Sequence, residues 1–249
     1  MSRGFDGAND LSTWGSNTSV DDVFAGGGTL LCSVFQATTG ESTARTLSKS
    51  NLGFTPGGWA SGVAGTSATS SRIFFSHSFE GIGGQEGDWT TDTVAGIVPL
   101  NKWAHIAITY DNSSILNDPL IYVDGVSQTV TENVTPIGTA ASDAAQTGRL
   151  GNVATGTRTF SGNLANVALF DRILAAEEIQ QWIQLPGSIT RGCVMFSPQW
   201  NSPVREGDYS GNNNNVVIGA TNSGAAVSMN FPPTQGTFVA SHPLLSGAC

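Results

Sequence analysis

Three acidic residues lie within seven positions of one another in the segment Glu86-Gly-Asp88-Trp-Thr-Thr-Asp92. Paired carboxylates of this kind can act as nucleophile and general acid in glycoside hydrolysis, provided that a rigid strand holds them about 5.5 Å apart. Residues 81–89 are rich in glycine and lack the alternating apolar side chains that would place a strand in a core. We therefore predict a loop at this segment and no hydrolase activity.

Two tryptophans in glycine-rich segments are candidates for sugar binding. Trp59 is part of PGGWASG, and Trp89 directly follows Asp88. Sugar sites stack rings on aromatic faces and bind hydroxyls with carboxylates or amides, so Trp59, Trp89 and Asp88 could form a carbohydrate-binding set. The alternative is that both indoles pack over sheet edges and anchor their loops. The other four tryptophans lie on or beside regular elements and are expected in the core or at its rim: Trp14, Trp103, Trp182 and Trp200.

The N-terminal sequence FDGAND contains side-chain oxygens suited to a hard cation. Asp6, Asn9 and Asp10 could contribute ligands to calcium, which binds roughly six to eight oxygens. The same residue types favour tight turns whether or not an ion is present. Calcium is the one cofactor that the sequence suggests, and turn formation is the alternative explanation of the motif.

Nucleophilic catalysis and zinc binding lack their usual residue patterns. The sequence has no G-x-S-x-G elbow, and its three histidines lie far apart, at His77, His105 and His242. The three cysteines have no C-x-x-C spacing, which argues against zinc. Cys32 and Cys193 fall within apolar runs and are predicted to be small core residues.

The segment Asn101 to Val126 gives the strongest indication of the fold. In WAHIAITYD, Ala104, Ile106 and Ile108 fall on one face and Trp103, His105 and Thr109 on the other, which is typical of a half-buried strand. The following LIYVDGV ends on Asp124-Gly125, a dipeptide that tolerates the positive φ angles of a two-residue hairpin turn. We predict a hairpin here, with residues 126–130 as the returning strand.

The remaining elements are also predicted to be mostly β. Strands are expected around residues 29–37, 44–50, 72–79, 149–152 and 160–171, whereas residues 51–71 should be rich in loops. A bulge is expected in the strand that contains Leu164 and Val167, because these residues break strict alternation. One short helix is predicted near residues 172–184, ended by Pro186-Gly187. We divide the chain into a sandwich core at 1–187, additional strands at 188–224 and an extended arm at 225–249.

The composition excludes several classes of partner. The chain of 249 residues has a formal net charge of −9 with only 10 lysines and arginines, and these are scattered. Nucleic-acid binding requires clustered cations, so we expect none, and no apolar run is long enough to span a membrane. The N-terminus lacks the basic and apolar regions of a signal peptide. The acidity is accounted for by solubility, and a calcium-binding or cation-loaded surface is the alternative.

The motifs taken together resemble the laminin-G-like domains of the concanavalin A-like lectin/glucanase superfamily. Their order and spacing agree over about residues 4–183, and the matching motifs are Phe5-Asp6-Gly7, Asn9-Asp10, Trp103, His105, Thr109-Tyr110-Asp111, Tyr122-Val123-Asp124-Gly125, Phe160-Ser161-Gly162, Leu174 and Glu177-Glu178-Ile179. The resemblance implies a jelly-roll β-sandwich of two antiparallel sheets with one short helix. It also implies calcium in many members, but an Asp-Glu pair common in the family is replaced here by Ala165 and Asn166.

Two functions follow from this resemblance. The first is a non-enzymatic structural protein on a virion surface, because similar domains occur on bacteriophage as capsid decoration or fibre components. In this hypothesis residues 225–249 would dock onto other subunits of the assembly, including further copies of the chain, by adding a strand to an exposed sheet edge. The alternative is an extracellular carbohydrate-binding module for cell-surface glycans.

Overall fold

A computed structural model of the protein describes residues 2–39, 41–50, 57–65, 70–80, 86–92, 97–200 and 202–219. In chain order the elements are β1 Arg3–Asp6, β2 Ser12–Gly15, a 3-10 turn Thr18–Val20, β3 Gly28–Gln36, β4 Ala44–Ser50, β5 Gly58–Gly65, β6 Ser70–Glu80, β7 Glu86–Thr91, β8 Val98–Pro99, β9 Trp103–Tyr110, β10 Leu120–Val123, β11 Val126–Ser127, β12 Val130–Val134, β13 Thr139–Ala140, β14 Gly148–Leu150, β15 Ser161–Phe170, α1 Ala176–Gln184, β16 Cys193–Ser197, β17 Arg205–Glu206 and β18 Val216–Ile218.

The strands form two antiparallel sheets. The smaller has seven strands in the order β1-β15-β3-β9-β10-β11, and β16 shares the second edge of β15 with β1. The larger has eleven strands in the order β12-β7-β6-β5-β4-β14-β2-β18-β17, with β8 and β13 also paired to β6. Both sheets contribute to one large buried cluster, which confirms the predicted all-β sandwich.

Five stacked or edge-packed aromatic rings form the centre of this cluster. Neighbouring centroids among Phe24, Trp59, Phe75, Trp89 and Tyr110 lie between 5.2 and 6.1 Å apart. Aromatic side chains bury the largest apolar areas of any residue type and prefer such offset or edge contacts. This packing holds the two sheets together beneath the loops at one end of the sandwich.

The predicted hairpin is present, with a shorter returning strand than expected. Asp124 has a φ of 51° and Gly125 a φ of 76°, which are the positive values that a two-residue turn requires. Only Val126–Ser127 pairs back onto β10, because the chain then crosses to the larger sheet, where Val130–Val134 pairs with β7. The bulge in β15 is confirmed by a register shift between Ala165 and Ala168 against β3.

The helix α1 confirms the prediction for residues 172–184. Ile179 and Trp182 are buried against the smaller sheet, and Trp182 packs edge-on against Phe170 at 5.3 Å between centroids. The Glu178 carboxylate accepts a hydrogen bond from the Ala175 backbone N–H at 3.0 Å, which satisfies a donor at the helix start. No helix among the described residues is long and apolar enough to cross a membrane.

The segment from 188 to 219 contributes strands to both sheets. β16 pairs with β15 in the smaller sheet, whereas β18 pairs with β2 in the larger one. A buried ion pair between Arg3 and Glu206, 2.7 Å apart, also ties the first strand to this segment. The predicted arm at 225–249 and the last residues of the predicted 188–224 unit lie outside the described residues.

Candidate functional site

A surface pocket of about 380 Å³ lies at the loop end of the sandwich, and we call it the rim pocket. Its lining combines one carboxylate, one amide and several hydroxyls with apolar side chains. The residues come from four segments that are distant in sequence: Asp22 and Ala25; Phe79; Asn112, Ser113 and Ile115; and Gly138, Thr139, Ala140, Ala141 and Ser142.

Main-chain hydrogen bonds join the four segments in two pairs. Asp22 adopts a φ of 50°, and its carbonyl accepts the Ala25 N–H at 2.8 Å, which forms a tight turn before β3. The Asn112 N–H donates to the carbonyl of Phe24 at 3.1 Å, and the Ala141 N–H donates to the carbonyl of Ser78 at 3.0 Å. The pocket walls are therefore held by the backbone rather than by side chains alone.

Asn112 is oriented by a buried histidine. Burial lowers the pKa of His77 to about 4, so the ring is neutral at pH 7. His77 Nδ1 lies 2.9 Å from the Ser78 carbonyl, an acceptor, so Nδ1 carries the proton and Nε2 accepts from Asn112 Nδ2 at 3.1 Å. The Asn112 side-chain oxygen is left for a hydrogen-bond donor in the pocket.

Asp22 presents a carboxylate that is already hydrogen-bonded within the wall. Its Oδ1 accepts the Asp143 N–H at 2.8 Å, and its Oδ2 accepts the Ser142 hydroxyl at 2.9 Å. Each oxygen of an ionised carboxylate can accept a further hydrogen bond, so Asp22 remains a competent acceptor. Phe79 and the 38% exposed Ile115 provide apolar surface beside these polar groups.

A buried cluster of charges adjoins the rim pocket, and we call it the Lys49 cluster. The fully buried Lys49 Nζ lies 2.6 Å from Asp21 Oδ1 and 2.6 Å from Asp143 Oδ1. It also donates to the Asp143 carbonyl at 2.8 Å, while Asp143 Oδ1 accepts the Asp22 N–H at 2.8 Å. Burial raises the pKa of Asp143 even though Lys49 opposes that shift. The cluster fixes the 141–146 loop that walls the pocket.

The two tryptophans predicted to bind sugar lie in strands and not in loops. Trp59 is in β5 and Trp89 in β7, and both side chains are fully buried in the core. The loop prediction for these residues is wrong, because the neighbouring glycines provide room for aromatic rings within the sheet. A Cβ at Gly62 would collide with the Phe74 ring, and one at Gly87 with the Trp89 ring. Neither indole offers a face to a sugar in this structure.

Asp88 and Glu86 also lie on β7, which corrects the predicted loop at residues 86–89. Asp88 accepts hydrogen bonds from Ser76 at 2.7 Å and from Asn133 at 2.9 Å. Burial, with the nearby Asp88, raises the pKa of Glu86, and Arg45 opposes the shift. The third acidic position of an E-x-D-x-x-E strand falls on Thr91, whose hydroxyl accepts the Ile73 N–H at 3.0 Å.

The residues predicted to bind calcium form a turn. Asp6 Oδ1 accepts the Ala8 N–H at 2.8 Å, and Asp10 Oδ2 accepts the Asp6 N–H at 2.8 Å, so two of the predicted ligand oxygens serve the turn. Asn9 also donates its N–H to Asp6 Oδ1 at 3.4 Å. Within the described ranges no group of three or more His, Cys, Asp or Glu side chains is arranged to hold a metal ion. Calcium binding at Asp6, Asn9 and Asp10 stays a prediction.

Sequence reasoning missed an exposed aromatic pair on the 188–219 segment. Trp200 is 52% exposed and Tyr209 is 58% exposed, and their ring centroids lie 5.2 Å apart. The Trp200 N–H donates to Glu206 Oε2 at 3.0 Å and the Tyr209 N–H to the carbonyl of Phe196 at 2.7 Å. Both aromatic residues are followed by turn-forming sequence, which could have indicated that they lie at the surface.

A family model described as the concanavalin A-like lectin/glucanases superfamily matches residues 31–180, which is more than half of the chain. The chain therefore belongs to this superfamily, as its motifs predicted. The rim pocket draws on residues within the match and on Asp22 and Ala25 before it, whereas the Trp200–Tyr209 pair lies beyond it.

Two solved structures show the same fold at low sequence identity. A native heptameric SAP-like pentraxin from Limulus polyphemus is 13% identical with a TM-score of 0.55, over 88% of this chain and 94% of that one. A putative carbohydrate binding protein from Bacteroides ovatus is 12% identical with a TM-score of 0.54, over 88% of this chain and 58% of that one. A search of curated proteins found no match.

Proposed function

We propose that the chain is a carbohydrate-binding module and that the rim pocket holds the sugar. The observation that carries the proposal is the convergence of the Asp22 carboxylate, the Asn112 amide and the Ser113 hydroxyl beside Phe79 and Ile115. A few oriented polar groups around apolar surface are the usual composition of a small-molecule site. A lectin-like superfamily and a structural neighbour titled a carbohydrate binding protein support the same class of ligand.

The chemistry of the pocket suits hydroxyl groups rather than a charged ligand. Asp22 and the Asn112 oxygen accept hydrogen bonds, while the hydroxyls of Ser113 and Thr139 can donate or accept. The apolar C–H face of a pyranose would lie against Ile115 and Phe79. Each hydrogen bond exchanged with water contributes about 0.5–1.5 kcal/mol, so we expect one pocket to bind sugar weakly but specifically. Strong attachment to a glycan surface would then require several copies of the domain binding at once.

We propose that the module binds sugar without cleaving it. Glycoside hydrolysis requires two carboxylates that flank the scissile bond. Among the described residues of the pocket lining Asp22 is the one acid, and both of its oxygens already accept hydrogen bonds from the wall. The acids on β7 are not part of this lining.

A glycan array with pocket variants tests the proposal. Ser113→Trp adds a bulky ring at an exposed lining position and is expected to abolish binding by filling the pocket, while the fold is unchanged. Trp200→Ala is the matched control on the exposed aromatic pair and is expected to retain binding. Loss of binding in Trp200→Ala alone would move the site to that pair, and no hit for the native protein on a broad array would contradict carbohydrate binding.

The particle-surface role is a separate proposal. It assigns the protein to a virion surface as a decoration or fibre component, attached to other subunits or copies through residues 225–249, which lie outside the described residues. The domain's membership of a lectin-like superfamily is compatible with it, because a surface protein that binds host glycans would combine both roles. Imaging the protein in its native assembly tests this role. If residues 225–249 contact no other subunit in that assembly, the proposal is contradicted.

A further inference from the structure

The Lys49 cluster has an arrangement that goes beyond an ordinary ion pair. The Lys49 amine is fully buried and directs hydrogen bonds to two carboxyl groups and one carbonyl, at 2.6, 2.6 and 2.8 Å. Two acids therefore share one cation. A single buried pair needs only one acid, so the second, Asp21, calls for an explanation.

Beyond its three hydrogen-bond acceptors, Lys49 has aromatic neighbours. Lys49 lies directly opposite Trp59 in the register of β4 and β5, and the Phe24 ring packs edge-on against Trp59 at 5.4 Å between centroids. An ammonium and a carboxylate removed from water lose much of their solvation. A proton moved along a hydrogen bond from Lys49 to Asp143 leaves a neutral amine beside a neutral acid, and burial raises the pKa of Asp143 in the same direction.

We propose that Lys49 and Asp143 condense into an intramolecular amide bond, with Asp21 as the proton carrier. The reactive groups are held by the fold itself. The hydrogen bond from Nζ to Asp143 Oδ1 keeps the amine near the roughly 3–3.5 Å separation from Cγ that a near-attack geometry requires. The bond would join β4 to the loop between β13 and β14.

The reaction balances without any co-reactant. The neutral Lys49 Nζ attacks Cγ of the protonated Asp143, so the new C–N bond forms, Oδ2 takes the negative charge and Oδ1 carries the proton that it received along its hydrogen bond with Nζ. The Asp22 N–H, 2.8 Å from Oδ1, donates to this hydroxyl oxygen and holds it in place. The Asp21 carboxylate accepts a proton from the attacking nitrogen and passes it to the Asp143 hydroxyl, which leaves as water when the C–O bond breaks. Asp21 returns to its starting form.

The second buried ion pair gives a comparison within the same chain. Arg3 and Glu206 are also buried and 2.7 Å apart, but a guanidinium stays protonated and is not a nucleophile. The Arg3–Glu206 pair should therefore remain an ion pair. A covalent bond is expected at the lysine cluster alone of the two.

Intact mass spectrometry of the fully denatured protein tests the inference. The native chain is expected to lack the mass of one water, and tryptic digestion should give one linked peptide pair joining Lys49 to Asp143, with no cleavage after Lys49. Asp21→Asn keeps both reacting groups but is expected to show the full mass, with circular dichroism confirming its fold. Arg3→Met is the control and should still lack one water.

The outcomes separate the parts of the inference. A native chain at its full mass after prolonged incubation in the folded state would overturn it, and that measurement needs no variant to fold. Loss of water mapped to any other residues would overturn it as well. Loss of water in Asp21→Asn would show that Asp21 does not carry the proton.

Discussion

Two buried charge clusters among the described residues, Arg3–Glu206 and the Lys49 cluster, compensate their buried carboxylates in different ways. Glu206 accepts hydrogen bonds from Arg3 at 2.7 Å, from the Ser202 N–H at 2.8 Å and from the Trp200 N–H at 3.0 Å. Its charge is thus met by a fixed cation and two main-chain donors. In the Lys49 cluster one flexible ammonium serves two acids, and burial raises the pKa of Asp143.

The contrast separates buried charges that remain stable ion pairs from those whose groups can react. A guanidinium opposite a carboxylate that backbone donors also satisfy is a stable anchor. A lysine amine, unlike a guanidinium, becomes a nucleophile once its proton has been transferred to an adjacent carboxylate. Position in the fold agrees with this contrast, since the Arg3 pair ties terminal segments together while the Lys49 cluster supports a pocket wall.

Breaking the Lys49 cluster is expected to have the largest effect. Lys49→Met removes the amine, and with it both ion pairs and the amide bond proposed above; loss of one partner of a buried pair alone costs about 3–5 kcal/mol. Denaturant unfolding followed by tryptophan fluorescence measures the change. The triple variant Lys49→Met, Asp21→Asn, Asp143→Asn removes the stranded charges and should recover part of the loss; an unchanged midpoint in Lys49→Met would contradict the prediction.

Breaking the Arg3 pair is expected to cost less. Arg3→Met leaves Glu206 buried but still bonded to the Trp200 and Ser202 N–H groups, so we expect a loss of roughly 1.5–3 kcal/mol, the range for hydrogen bonds to charged groups. The same unfolding assay compares the two variants directly. A larger loss in Arg3→Met than in Lys49→Met would reverse the order of the two clusters.

Breaking the partly exposed ion pair between Arg172 and Glu178 is expected to cause the smallest loss of stability of the three. Their side chains are 25% and 32% exposed, and exposed pairs contribute about 0.2–1 kcal/mol. The hydrogen bond from Arg172 lowers the pKa of Glu178 to about 2, below its unfolded value, so this small contribution is lost as pH falls from about 4.5 towards 2. Glu178→Gln should lower the free energy of unfolding by under about 1 kcal/mol at pH 7. It should also reduce the pH dependence of that free energy between about pH 4.5 and 2. A loss equal to that of Arg3→Met would contradict it.

Local patterns in the sequence predicted much of the fold. Asp124-Gly125 specified its turn because few residues other than Asn, Asp and Gly tolerate the positive φ angles found there. The strand around Ile106 and the helix around Trp182 were predictable because their apolar periods, two and about 3.6, are properties of the chain itself. These predictions needed no knowledge of distant contacts.

The strands that contain Trp59 and Trp89 were not predictable in this way. Glycine usually indicates a turn, but here Gly62 and Gly87 are strand residues whose missing side chains make room for the rings of Phe74 and Trp89. That reason becomes visible only when the sheet is assembled. The candidate site is similar, because the rim pocket joins Asp22, Asn112 and Ser142 across some 120 positions of sequence.

The 188–219 segment also determines how the domain would carry a mechanical load. It is hydrogen-bonded to β15 in one sheet and to β2 in the other, and Arg3 fastens it to the first strand. A pull applied beyond residue 219 therefore acts first on β18 and the larger sheet. The same segment is hydrogen-bonded to Asn17 at 3.0 Å and to Ser19 at 2.9 Å, just before the Asp22 turn, so tension on it would also be transmitted to one wall of the rim pocket.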